Sequence, residues 1–142
     1  MEITRAYVKS ILPHRDPEGH KGTFGKVYCL CGAVGYTGAP YLTASAAVRT
    51  GCGLVSLGVP KTIWPIEAAK CVSAMPFPLP EKNGMLAGKA LPQILEKLDG
   101  CDVLALALPI PCVISVVLPP SSILKRVFLT SLAITRQSSL SR

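Results

Sequence analysis

Two short glycine-rich segments carry the residue types that most readily bind a phosphate. The first, His20–Lys26 (HKGTFGK), combines two glycines with a lysine on either side. The second, Gly32–Gly38 (GAVGYTG), follows a short apolar run. Glycine lets the backbone approach a ligand closely, and lysine suits a phosphate. Neither segment is a Walker A loop, because GxxxxGK[ST] is absent.

The second segment has the better context for an anion site. Val27–Cys31 is short, apolar and bounded by glycines, which predicts a central strand. Pro40 suits the first turn of a helix predicted from Ala39 to Thr50, with Gly51 as its stop. A strand, a glycine turn and a helix N-terminus together present free N–H groups to an anion. The spacing is GxxGxxG and not the Rossmann GxGxxG, so a generic glycine turn stays open as an alternative, as does a plain surface turn for HKGTFGK.

The remaining elements alternate between strands and helices. Hydrophobic periodicity predicts a parallel α/β sheet flanked by helices. The predicted elements are a helix within Met1–Leu12 with Thr4 as its N-cap, a strand Gly53–Val59, a helix Thr62–Lys70, a strand end and extended connector over Cys71–Pro80, a turn at Glu81–Gly84, a helix Lys89–Leu98 and a strand from Asp102 to Ala107.

Composition excludes several classes of protein. The net charge of +7 is concentrated late, because residues 103–142 hold four basic residues and no acidic one. No basic run is interleaved with aromatic residues, so we expect no nucleic-acid partner. The six cysteines form no CxxC pair and only two histidines are present, so no zinc site is expected. The polar N-terminus and the reduced thiols predict a cytoplasmic protein.

The character of the chain changes after residue 104. Residues 105–142 contain no glycine, and four prolines interrupt their apolar run. That run is too short and too broken for a membrane span, so we expect no membrane association, and a membrane role for the tail stays open as a minor alternative. We therefore divide the chain into residues 1–104 and an off-pattern, frameshifted or disordered tail, residues 105–142.

The residues HKGTFGKV, GYTGAPYLTASAAVRTGCGLVSLGVP and GCDVLALA resemble the ADP/ATP-dependent NAD(P)H-hydrate dehydratase family over about residues 4–104. The resemblance implies a ribokinase-like fold, here truncated. It also implies a lyase that uses ADP or ATP with Mg²⁺ to phosphorylate the hydroxyl of NADH or NADPH hydrate and then eliminates phosphate. It places Ala39, Gly38 and Tyr36 against the hydrate, and Lys21 and Gly22 along the same site.

The family's later motifs have no counterpart here. Where the family has GPGLG, this chain has the residues Ala105 to Leu108. Codons for Gly-Pro-Gly-Leu, read one base later, can encode Ala-Leu-Ala-Leu, so a frameshift would produce this change. An alternatively spliced or degenerate end would produce the same signs. No residue matches the family's late histidine or its general-base aspartate, so no catalytic residue is assigned and we expect little or no turnover from this chain alone. The alternatives are a ribokinase-like small-molecule kinase, such as one acting on a hydroxymethylpyrimidine, and a non-catalytic remnant. A homo-oligomer is expected from the family, with aggregation equally open.

Overall fold

A computed structural model describes residues 2–12, 14–107 and the backbone of 127–129. In chain order the elements are α1 (Arg5–Ile11), β1 (Lys26–Cys31), α2 (Gly38–Arg49), β2 (Leu54–Pro60), a 3-10 helix (Lys61–Ile63), α3 (Trp64–Lys70), β3 (Met75–Leu79), β4 (Glu81–Lys82), β5 (Met85–Leu86), a second 3-10 helix (Gly88–Ala90), α4 (Leu91–Asp99), β6 (Val103–Ala107) and β7 (Val127–Leu129).

Five strands form one parallel sheet in the order β3-β2-β1-β6-β7, which confirms the predicted α/β class. Val27 of β1 lies opposite Val55 of β2 on one side and Val103 of β6 on the other. From β1 the chain adds β2 and then β3 on one side of the sheet, and it then crosses back to place β6 on the other side of β1. The point where this direction reverses lies between β1 and β6, and ligands of open parallel sheets bind beyond the carboxyl ends of such strands.

Side chains of β1 alternate between two cores, one on each face of the sheet. Tyr28 and Leu30 pack with α4 through Ile94. Cys29 and Cys31 point to the other face, where Ala44 of α2 is fully buried. Small side chains on both partners let α2 lie close to the sheet, as its Ala- and Ser-rich sequence predicts. The central strand is thus buried on both faces, which explains its unbroken apolar sequence.

Several predicted boundaries change in the structure. Thr4 caps α1 as expected, accepting a hydrogen bond from the Tyr7 backbone N–H at 3.2 Å, but α1 buries none of its residues. The helix predicted over Thr62–Lys70 is divided into a 3-10 turn and α3. The strand end and connector predicted over Cys71–Pro80 contain the strand β3. The turn predicted at Glu81–Gly84 is β4 followed by the two-residue turn Asn83–Gly84, which joins β4 to the antiparallel β5.

The end of the chain is described only in part. β6 continues through residue 104, at which the sequence predicted a boundary, and ends at Ala107. Three residues of the predicted tail, Val127–Leu129, pair in parallel with β6. Residues 108–126 and 130–142 lie outside the described residues, so the nature of the tail stays a prediction. Within the described ranges, every helix is too short or too polar to cross a membrane.

Candidate functional site

The segment Gly32–Thr37, which we name the carboxyl-edge turn, leaves the carboxyl end of β1 at the reversal point of the sheet. Gly32 has φ +88, and a Cβ there would approach Pro40 Cγ to 2.8 Å and Ile63 Cδ1 to 2.9 Å. Only glycine fits that backbone, because positive φ and close packing coincide. The Tyr36 N–H then donates to the Ala33 carbonyl at 2.9 Å and closes the turn. The turn therefore connects the end of β1 directly to the start of α2.

The N-terminus of α2 is exposed and lacks a side-chain cap. Gly38 and Ala39 are its first two residues, both exposed, whereas Pro40 is buried beneath them. Thr37 occupies the N-cap position, yet its side chain makes no capping hydrogen bond. The first N–H groups of a helix have no partner within the helix, and its dipole is positive at this end. The backbone of Gly38 and Ala39 thus faces solvent in the manner of an anion site.

Tyr36 is the most exposed aromatic residue on this part of the surface. Its side chain is 68% exposed, although it lies only two residues before α2. A tyrosine ring with an apolar body and a polar tip can pack against a ring system or donate to an oxygen. The structure therefore brings three residues predicted for the site together: Tyr36, Gly38 and Ala39.

A lysine and a glutamate from α3 lie beside the turn, and the sequence analysis assigned neither to the site. Lys70 Nζ donates to the Thr37 carbonyl at 3.0 Å and to Thr37 Oγ1 at 3.1 Å. It also lies 3.5 Å from Glu67 Oε1. Glu67 is fully buried, and burial raises the pKa of its carboxyl above the usual value, an effect that Lys70 partly offsets. Glu67 is buried one turn after the buried Ile63, whereas the apolar Ile66 is exposed, so the sequence pattern gave no signal for this buried glutamate.

The hairpin formed by β4 and β5 borders the turn on another side. The Val34 N–H donates to the Gly84 carbonyl at 2.8 Å. At the base of the hairpin, Glu81 Oε2 accepts from the Thr62 backbone N–H at 2.9 Å, and its other oxygen accepts from the Thr62 hydroxyl. These hydrogen bonds lower the pKa of Glu81, so this carboxylate is ionised and already engaged.

Lys21 and Gly22 lie at the opposite end of β1, so the structure does not bring them to the turn. The six residues of β1 separate the two ends by roughly 20 Å. The Gly22 N–H donates to His20 Nδ1 at 3.0 Å, and a Cβ at Gly53 would lie 1.6 Å from the Lys21 carbonyl oxygen. The glycines of HKGTFG have local reasons of their own, because Gly25 has φ +81 and a Cβ at Gly22 would lie 2.9 Å from His20 Cε1.

The described residues offer little for covalent or metal chemistry near the turn. Burial raises the pKa of the Cys31 thiol to about 11, so it stays protonated. No group of three or more potential metal ligands occurs among the described residues. Asp102 Oδ2 accepts from the Lys26 N–H at 2.8 Å, at the amino end of the sheet. The described residues at the carboxyl end can bind an anion, but none of them is a free base beside it.

Comparison with known proteins identifies one family. The family model described as NAD(P)H-hydrate dehydratase matches residues 27–107, more than half of the chain. A bifunctional NAD(P)H-hydrate repair enzyme of Moorella thermoacetica is 43% identical over 105 residues, which cover 73% of this chain and 20% of that enzyme. The chain thus spans about a fifth of the length of this curated relative.

Two solved structures share the fold. A ribokinase-like superfamily protein of Enterococcus faecalis matches 75% of this chain and 34% of its own, with a TM-score of 0.61 and 18% identity. An ADP/ATP-dependent NAD(P)H-hydrate dehydratase of Bacillus subtilis, co-crystallised with ATP and Mg²⁺, matches 75% of this chain and 36% of its own. That match has a TM-score of 0.55 and 25% identity. The parallel sheet described here is therefore part of a ribokinase-like fold.

Proposed function

Because the chain belongs to the NAD(P)H-hydrate dehydratase family, we propose that its carboxyl-edge turn binds NADH hydrate or NADPH hydrate. The observation that carries this proposal is the uncapped N-terminus of α2 at the reversal point of the sheet. The N–H groups of Gly38 and Ala39 donate to a phosphate oxygen of the dinucleotide. The exposed ring of Tyr36 packs against the same ligand.

The reaction that we propose for a complete domain of this family is a dehydration coupled to phosphoryl transfer. ADP or ATP phosphorylates the hydroxyl that hydration has added to the nicotinamide ring, and loss of phosphate restores the double bond. Magnesium is commonly bound by one or two carboxylates together with nucleotide phosphates, and the described residues near the turn do not fit it, because Glu67 is paired with Lys70 and Glu81 is bonded to Thr62. We therefore assign the described residues to the hydrate, and not to the metal-bound nucleotide.

A base that removes the hydroxyl proton must lie within hydrogen-bond reach of the substrate. All eight acidic residues of the chain lie within residues 1–102. Of these, Glu67 and Glu81 lie near the turn; Glu67 is buried against Lys70, and Glu81 is bonded to Thr62. We therefore propose that this 142-residue chain binds the hydrate and gives little or no turnover by itself.

Two measurements test this proposal. Calorimetric titration of the full chain with NADPH hydrate is expected to show saturable binding, with NADPH as the control ligand. Recovery of absorbance at the NADPH wavelength, with ADP or ATP and Mg²⁺ present, is expected to stay at the rate without protein. The absence of hydrate binding would overturn the site, and protein-dependent recovery of NADPH would overturn the assignment of no turnover.

The second candidate is a non-catalytic remnant that binds nucleotide weakly or associates with full-length subunits, and the engaged state of both nearby carboxylates favours it. Mixing the chain with an intact enzyme of the family and sizing the products tests whether it joins full-length subunits.

A ribokinase-like small-molecule kinase remains the third proposal, and titration with a hydroxymethylpyrimidine tests it. Fractionation tests the proposed cytoplasmic location, light scattering tests self-assembly, and sequencing the gene around codon 105 tests the proposed frameshift.

A further inference from the structure

Lys70 and Thr37 meet across 33 positions of sequence, at the point where α3 ends and α2 begins. Lys70 is the last residue of α3, and Thr37 is the N-cap residue of α2. The Lys70 ammonium contacts both oxygens of Thr37, the carbonyl at 3.0 Å and the hydroxyl at 3.1 Å. Two such contacts fix the residue in position and orientation, which a single surface ion pair does not do.

These contacts explain why Thr37 does not cap its own helix. A threonine at the N-cap position commonly accepts a hydrogen bond from an N–H of the first helical turn. Here the backbone of Thr37 is helical, with φ −80 and ψ −8, and its hydroxyl accepts from Lys70 instead. The hydroxyl is thereby drawn away from the N–H groups of Gly38 and Ala39, which stay open to a ligand.

The charge arrangement also favours an anion at this place. Lys70 lies at the C-terminal end of α3, where a cation is favoured, but its ammonium also contacts the positive N-terminal end of α2, where an anion is favoured. Glu67 offsets this charge in part, at 3.5 Å. Both Glu67 oxygens are buried, and among the described residues neither has a hydrogen-bond partner. The contact of Lys70 with Glu67, at 3.5 Å, is longer than either contact of Lys70 with Thr37, so the shorter contacts of the ammonium are those with Thr37.

We infer that Lys70 is a positioning residue of the carboxyl-edge turn, which holds Thr37 so that the Gly38 and Ala39 N–H groups receive an anionic ligand. This inference rests on the proposed function for the identity of that ligand. Lys70 acts through Thr37 and is not assigned a contact with the substrate. Glu67 supports it from the buried side.

The test compares Lys70→Met with Lys70→Arg, in the full chain. Lys70→Met keeps the length of the side chain and removes its donors, whereas Lys70→Arg keeps charge and donors. Lys9→Met is the matched control, because Lys9 is exposed in α1, a helix without buried residues. Two quantities are measured: the backbone amide shifts of Gly38 and Ala39 without ligand, and the affinity for NADPH hydrate by calorimetry.

We expect Lys70→Met to shift both amides and to weaken hydrate binding about tenfold or more, the range for a lost charge-assisted contact. Lys70→Arg is expected to restore affinity to within about threefold, because it retains the donors. Lys9→Met is expected to stay within about twofold of the unaltered chain. If Lys70→Met fails to fold, Thr37→Val, which removes only the accepting hydroxyl, serves in its place.

The outcomes separate this inference from the proposed function. If the unaltered chain binds no hydrate while Lys70→Met still shifts the Gly38 and Ala39 amides, the substrate assignment fails and the positioning role stands. If the chain binds hydrate and Lys70→Met leaves both affinity and amides unchanged, the positioning role fails. Equal loss of affinity in the Met and Arg variants would also overturn it, since donors and charge would then be irrelevant.

Discussion

Replacing Gly38 by alanine should have different effects on the free energy of unfolding and on the affinity for the ligand. Gly38 is the first residue of α2, its φ is not positive, and a Cβ built on it meets no atom within 4 Å. The folded backbone therefore accepts alanine without strain. Because alanine is the better helix former, we expect the free energy of unfolding to stay unchanged or to rise by up to about 1 kcal/mol.

Binding should respond in the opposite direction. The added methyl group stands beside the exposed N–H groups at the start of α2, in the space that the proposed phosphate occupies. Forcing a methyl group into a packed contact costs about 1–3 kcal/mol. We therefore expect the affinity of Gly38→Ala for NADPH hydrate to fall by roughly ten- to a hundredfold.

Chemical denaturation and calorimetric titration measure the two effects on the same protein. Gly88→Ala is the matched control, because Gly88 also begins a short helix and its Cβ would also meet nothing within 4 Å. The control should change neither stability nor hydrate affinity appreciably. Unaltered hydrate binding in Gly38→Ala would refute the reasoning, since it would mean that no ligand approaches this backbone.

Three further substitutions examine other parts of the account. Gly53→Ala drives its Cβ into the Lys21 carbonyl oxygen, so the free energy of unfolding should fall by about 3 kcal/mol or more in a denaturant titration; a loss as small as that of Gly88→Ala would contradict the packing. Lys21→Met should leave hydrate affinity within about twofold in calorimetry, because Lys21 lies at the far end of β1. Glu67→Gln should alter the pH dependence of unfolding. Burial raises the folded-state pKa of Glu67 above 4.5, so its contribution to stability is full below that pH and is lost as the pH rises. Relative to the unaltered chain, the variant should therefore gain stability as the pH rises above 4.5, and a difference that does not depend on pH would count against burial of this carboxyl.

The arrangement of strands and helices was predictable because its signals are local. Glycine-bounded apolar runs gave β1 and β2, and Pro40 marked the first turn of α2. The hairpin was missed as a pair of strands, although Asn83-Gly84 is the usual signal for one and both residues have positive φ. The prolines within residues 75–79 led to the prediction of a strand end and an extended connector, whereas the structure has the strand β3 there, at the edge of the described sheet, where proline is tolerated.

For the candidate site, the sequence could predict only which residues lie at the carboxyl end of the sheet, because that follows from the direction of the chain. The segment after a parallel strand lies at the carboxyl end of the sheet, which places Tyr36, Gly38 and Ala39 together. By the same rule Lys21 and Gly22, which precede β1, belong to the other end. The contact between Lys70 and Thr37 depends on how α3 packs beside α2, and no local pattern encodes that packing.

The most direct test of the central claim is to map NADPH hydrate onto the chain by backbone amide shifts. The account predicts saturable changes at Tyr36, Gly38 and Ala39, with the amides of Lys21 and Gly22 unmoved. Changes confined to the Lys21 end of β1 would contradict it, as would the absence of any amide change at the highest ligand concentration.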